Sequence, residues 1–131
     1  MNLIYPMFAM VVLTVVVLGV MFRSRVRAIK SKDVPIDFFK SYQGAVPEYV
    51  QVPARHFTNL FETPVLFYVA CLAAMILGKT GVTVVALAWA YVVLRAAHAF
   101  VHLGSNSVFL RMRVYAVSWI VLLSLWIALL V

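Results

Sequence analysis

Four apolar runs, at 3–22, 57–77, 82–103 and 111–131, occupy most of this chain and leave it few ways to fold. A helix rises about 1.5 Å per residue and a bilayer's hydrocarbon core is about 30 Å thick, so each run is long enough to cross it. The last is marginal, since its continuous apolar part begins near residue 114, but it is rich in Leu, Ile, Val and Trp. With 66% hydrophobic and only 11% charged residues among 131, the chain is too apolar for a soluble domain. The expected fold is all-α: one integral-membrane domain over 1–131, a bundle of four transmembrane helices with a single sizeable loop at 23–55. No soluble domain remains to carry function, so any chemistry has to sit in or against the membrane.

A net charge of +7 would point to nucleic acid in a soluble chain, but its placement here argues for no such partner. Arg23, Arg25, Arg27, Lys30, Lys32, Lys40 and Arg55 flank or occupy the 23–55 loop, Arg111 and Arg113 open the fourth run, and Lys79 stands alone between the second and third. The positive-inside bias then puts both basic loops on the cytoplasmic side and both termini on the opposite side. Some of these arginines are placed to hold anionic lipid headgroups. The first run has no basic residue ahead of it and no A-x-A site, so it reads as a retained anchor rather than a signal peptide. The sole cysteine, Cys71, lies mid-span; it allows no intrachain disulfide and reads as a small packing residue.

Helix-breaking residues mark the links. The first helix is expected to run past the membrane toward Lys32 and to stop at Asp33-Val34-Pro35. Pro35, Pro47 and Gly44, with Phe38, Phe39, Tyr42 and Tyr49, suggest an irregular segment lying on the cytoplasmic surface or capping a pocket mouth. The second helix should start near Pro53 and kink at Asn59 to Leu60, because Pro64 follows. Gly78 and Gly81 mark a tight turn, and Gly104-Ser105-Asn106-Ser107 breaks the third helix, with Asn106 or Ser107 placed to cap the fourth.

Within these runs, two polar stripes stand out. Arg55, Asn59 and Glu62 fall at i, i+4 and i+7, and Arg95, His98 and His102 at i, i+3 and i+7, so each set shares one helical face. Ionisable groups at membrane depth are costly and usually face a protein interior or a wet cavity, which suggests one shared polar site. Two readings are open. The set could satisfy itself, with Glu62 pairing to an arginine and Asn59 bonding a neighbouring backbone. Alternatively it offers cations, an amide and a carboxylate to a small zwitterion bearing carboxylates and an ammonium. Arg111 and Arg113 would add charge at the cytoplasmic mouth, where an arginine beside a thiol favours the thiolate, or would snorkel to the interface.

The i, i+4 spacing of His98 and His102 would suit a metal, with Glu62 as a third ligand. No metal is expected, because H-E-x-x-H is lacking and three histidines cannot build the multi-histidine cage of a membrane di-iron enzyme. His56 lies about 100° off the Arg55 stripe and is expected at the interface. Tyr68, Tyr91 and Tyr115 read as core or belt aromatics. Alanines along the second and third runs allow close helix approach, and so small a bundle has little interior, so oligomerisation with the site between subunits is expected.

The run Arg55-His56-Phe57-Thr58-Asn59-Leu60-Phe61-Glu62, with a following proline and Phe67, resembles the R-x-x-x-N-x-x-E signature of the MAPEG family, the membrane-associated proteins of eicosanoid and glutathione metabolism. Arg95, His98 and His102, then Arg111 and Tyr115, resemble its third- and fourth-helix pattern. The resemblance covers the whole chain in size, span count and loop order, and is nearest to short bacterial members, which implies a bacterial inner membrane. It also implies a homotrimer holding glutathione between subunits near the cytoplasmic face, with an apolar electrophile or lipid hydroperoxide arriving from the bilayer. By position, Arg55, Asn59, Glu62 and Arg95, together with His98 and His102, would bind the tripeptide. Arg27 would meet a carboxylate, and Arg111 would stabilise the thiolate, with Arg113 close enough in register to compete.

The chain departs from the pattern in three places. His98 and His102 stand where many family enzymes have tyrosines, the proline follows Glu62 sooner, and the linker before Arg111 is slightly longer. The implied activity is a glutathione-dependent membrane transferase or peroxidase. Two alternatives are a non-catalytic lipid or fatty-acid binder of the same fold and a small proton-coupled exporter using Glu62. Against the exporter, the first run offers Leu13 and Thr14 where such proteins carry an acid.

Overall fold

The computed structural model describes residues 2–131. Its described residues form six helices and no strand: α1 (Ile4–Lys30), α2 (Phe38–Ser41), α3 (Glu48–Asn59), α4 (Thr63–Ile76), α5 (Val82–Leu103) and α6 (Val108–Leu130). Four units are long and apolar enough to cross a membrane: α1, α3 with α4 as Glu48–Ile76, α5, and α6. The chain is therefore an all-α, multi-pass membrane bundle.

Local chemistry explains the ends. After α1, Lys32 turns left-handed (φ 58) and the Asp33 N–H reaches back to the Ala28 carbonyl at 3.0 Å, closing a Schellman motif before Pro35 bars further helix. The same motif ends α4, where Gly78 (φ 68) lets the Lys79 N–H reach the Ala74 carbonyl at 2.9 Å. Lys79 then donates from Nζ to the Leu129 carbonyl at 3.0 Å, placing a cation on the C-terminal end of α6. Inside α1, Thr14 and Ser24 donate to the carbonyls of Met10 and Met21, so neither hydroxyl is left unpaired.

Three local expectations are corrected. The second transmembrane helix begins at Glu48, with Pro47 at its N-cap, so Pro53 lies within the helix and not at its start. At its far end the helix breaks rather than bends: α3 stops at Asn59 and α4 restarts at Thr63. Pro64 has no N–H for the Leu60 carbonyl and its ring crowds that group, so residues 60–62 tighten into short-range turns. The 35–49 segment is not wholly irregular, because α2 lies within it. Val34 and Val50 bury against Ala28 there, and Phe38, Phe39, Val46 and Tyr49 cover them, which docks the loop on the end of α1.

The main core is a seam of small and branched side chains. Leu3 at the N-cap of α1 and Met10 and Val17 within it repeat every seventh residue. Ala70, Cys71 and Ala74 on α4 meet Ala88, Tyr91 and Val92 on α5, and Leu122, Leu125 and Leu129 complete the seam from α6. Cys71 is fully buried in that packing. Tyr91 stacks on Phe67 with ring centroids 4.7 Å apart, and its hydroxyl donates to Thr63 Oγ1 at 3.0 Å, pinning α5 to the restart of α4. Large apolar side chains such as Phe8, Val15, Ile120 and Leu123 point outward, as a lipid-facing surface requires. α5 is the interior helix, packing against α6, α1 and α3, and it carries the buried Arg95, His98 and His102.

Candidate functional site

Where α3 breaks, its last turns face the lower half of α5 and the first turns of α6, and a cavity of about 460 Å³ opens between them. Arg55, Thr58, Asn59 and Glu62 form one wall, His98 and His102 a second, and Arg111, Met112 and Tyr115 a third. Seven of the residues named from the sequence, Arg55, Asn59, Glu62, His98, His102, Arg111 and Tyr115, thus border one space. Arg95 stands behind that wall, fully buried. Its Nη2 donates to Asn59 Oδ1, and Asn59 Nδ2 donates to Glu62 Oε2 at 3.0 Å. The amide therefore links a buried guanidinium to an exposed carboxylate, and both ends of its orientation are set by charge.

Arg95, Asn59 and Glu62 are thus bonded in series, but through other partners than a self-satisfying set was expected to use. Glu62 takes its bond from Asn59 and not from an arginine, and Asn59 bonds side chains instead of backbone. The one ion pair among the described residues is Lys40 with Asp37, 2.6 Å apart at the surface. Arg95 keeps Nε and Nη1 buried without partners, while its cation lies 5.7 Å from the centre of the Tyr115 ring. A buried donor without a partner costs about 1–3 kcal/mol, and more when charged, so the chain has left this guanidinium under-satisfied.

Arg111 is held by a parallel relay. Its Nη1 donates to Asn106 Oδ1 at 2.8 Å, and Asn106 Nδ2 donates to Glu48 Oε1 at 3.2 Å. Asn106 has φ 50, a conformation that asparagine tolerates better than most residues. The expected cap on α6 is absent: Ser107 is the N-cap residue but makes no side-chain cap bond, and Asn106 spends its amide on Arg111 and Glu48. A residue of this type after Gly104-Ser105 was visible in the sequence, but its partners, one of them 58 positions away, were not.

Two other candidates lie outside the cavity within the single chain. Arg113 packs over the Phe109 ring at 4.0 Å, and Arg27 over the Tyr49 ring at 4.8 Å. On the far side of α3 a second cavity, of about 550 Å³, shares Arg55 and Thr58 with the first and is otherwise lined mainly by Met21, Phe38, Phe39, Tyr42 and Val46. Arg25 lies over two of its rings, 5.4 Å from Phe39 and 5.7 Å from Tyr42.

His56 is the principal correction. Expected at the interface, it is fully buried, because the direction about 100° away from Arg55 points at α5 and not at headgroups. Its Nδ1 lies 2.8 Å from His102 Nδ1, and its ring centroid lies 5.3 Å from that of His98. His98 and His102 are also buried, at 3% and 7% exposure. All the histidines of the chain therefore meet at one point.

The MAPEG family model matches residues 3–131. Neither the curated proteins nor the solved structures yield a match.

Proposed function

The chain belongs to the MAPEG family, and on that premise we propose that it is a glutathione-dependent membrane transferase or peroxidase acting on apolar electrophiles or lipid hydroperoxides. The observation that carries the reading is the convergence of Arg55, Glu62 and Arg111 on one cavity of about 460 Å³. A tripeptide with two carboxylates, an ammonium and a thiol needs cations, an anion and a thiolate-stabilising donor within one span of space. The residues fit such a guest. Arg55 borders the cavity with no hydrogen-bond partner among the described residues, the Glu62 carboxylate is exposed there, and Arg95 is short of partners behind Asn59.

In this reading Glu62 receives the ammonium, Arg55 a carboxylate, and the Asn59 amide keeps the two opposite charges at fixed spacing. His98 and His102 offer ring nitrogens where a tyrosine hydroxyl would otherwise donate. Arg111, aimed by Asn106, directs a guanidinium at the thiol and stabilises its anion. The bound thiolate supplies the nucleophile: it attacks an electrophilic carbon and expels that carbon's leaving group, or attacks a peroxide oxygen, breaking the O–O bond to release the alcohol and leave a sulfenic acid that a second glutathione converts to the disulfide and water. Positioning by rigid helices and exclusion of water supply the rest of the rate.

A homotrimer in the bacterial inner membrane, with 23–55 cytoplasmic and both termini opposite, completes the proposal. In it Arg27 would approach the ligand from the neighbouring copy, and the apolar reactant would arrive through lipid. The second cavity favours one further reading, a non-catalytic lipid binder, because its walls are mainly aromatic and aliphatic with Arg25 at hand for a carboxylate. Retention on glutathione-agarose, followed by calorimetric titration in detergent, separates them. A transferase binds glutathione with saturable heat, whereas a carrier ignores it and retains a fatty acid.

A further inference from the structure

We propose that His56, His98 and His102 form a binding site for one divalent transition-metal ion of the zinc type, with its open coordination position facing the cavity. The three rings come from two rigid helices, α3 and α5, and all are buried. One ring nitrogen of each lies within 4.8 Å of the others. Metal–nitrogen bonds of about 2.1 Å in a tetrahedron hold ligand atoms roughly 3.4 Å apart. The 2.8 Å contact between His56 and His102 and the 4.8 Å limit on the set straddle that separation, so small ring rotations close the triangle.

Hydrogen bonding among the rings leaves the cluster incomplete. The Nδ1···Nδ1 contact uses one donor and one lone pair, yet His56 Nε2 and His98 Nδ1 are buried with no partner at all. Three imidazoles packed against each other in an apolar bundle would ordinarily each find a carbonyl or hydroxyl. Here they find one another, and the groups left over are of the kind a cation accepts. A metal takes one lone pair from each ring and leaves the other nitrogens as donors.

Placement also defines the kind of site. Three protein ligands with a fourth position open are the arrangement of a reactive centre and not of a closed structural one. His98 and His102 border the cavity while His56 lies behind, so the fourth position opens toward Glu62 and Arg111. The surrounding arginines oppose a dication. That charge selects an anion, hydroxide or thiolate, as the fourth ligand, and Glu62 on the same cavity offsets part of it. The site stands independently of whether glutathione is the guest.

The test uses the full chain purified in detergent without a polyhistidine tag and stripped with a chelator. Cobalt(II) titration, read by visible ligand-field bands and by metal analysis after dialysis, should give one ion per chain, displaced by zinc(II). His56→Gln, His98→Gln and His102→Gln should each weaken binding by about tenfold or more, with helicity and elution volume unchanged. Should a variant fail to fold, pulsed electron paramagnetic resonance of the copper(II)-loaded unaltered protein decides, because imidazole nitrogens must couple to the ion. No uptake by the unaltered protein, binding unchanged by His56→Gln, or copper without imidazole coupling would each overturn the proposal.

Discussion

Arg111 Nη1 donates to Asn106 Oδ1 at 2.8 Å, so the guanidinium that borders the cavity from α6 is aimed by the turn just before it. Asn106 in turn holds Glu48 at the first turn of α3, which ties the turn before α6 to the start of α3. Asn106→Gly keeps the positive φ and removes the bonds, whereas Asn106→Ala also strains the backbone. Thermal unfolding in detergent should show the alanine variant less stable than the glycine one by about 1 kcal/mol. Both should bind glutathione more weakly than the unaltered chain in calorimetric titration.

Among the described residues, Asn59 is the only hydrogen-bond partner of the buried Arg95 side chain. Asn59→Ala strands that cation and should lower stability by about 2–3 kcal/mol, the scale of a hydrogen bond to a charged group. Asn59→Asp supplies a direct counter-charge and should keep the fold while repelling Glu62. Equal melting temperatures for the alanine variant and the parent would show that the bond carries little.

Arg111 and Arg113 are two residues apart but point to different surroundings, the cavity for one and the Phe109 ring for the other. With glutathione bound, Arg111→Ala should abolish the ultraviolet absorbance of the thiolate without unfolding the chain. Arg113→Ala should leave it intact. The reverse result would reassign the thiolate-stabilising role to Arg113.

Pro64 breaks the second transmembrane helix and thereby sets where Glu62 stands. Pro64→Ala lets an N–H meet the Leu60 carbonyl and should join α3 to α4, holding or raising the melting temperature. Turning Glu62 away from the cavity should then cost about a hundredfold in catalytic efficiency. Unimpaired turnover in a continuous helix would show that the break is dispensable.

How much of this was legible in advance follows from the range over which each feature is encoded. The four spans were open to reading because lipid tolerates only long apolar runs with internally closed backbone bonds. The stripe of Arg55, Asn59 and Glu62 was equally plain, since side chains at i, i+4 and i+7 must share a face, and Pro64 announced a disturbance near Leu60. The depth of that disturbance, a complete break, depended on how residues 60–62 found shorter-range bonds.

Periodicity says which way a residue points relative to its own helix, and it is silent on what another helix brings opposite. His56 was placed correctly off the Arg55 stripe, yet whether that direction met headgroups or α5 was set by the rotation and axial offset of α3 against its neighbour. The meeting of His56 with His102 across 46 positions, and of Arg95 with Asn59 across 36, came from the same docking. From its residues alone this chain was bound to be a four-span helical membrane protein with polar faces on its second and third spans. Helix packing decided which of those polar groups touch, because interhelical contact depends on how whole surfaces fit and not on the spacing within either one.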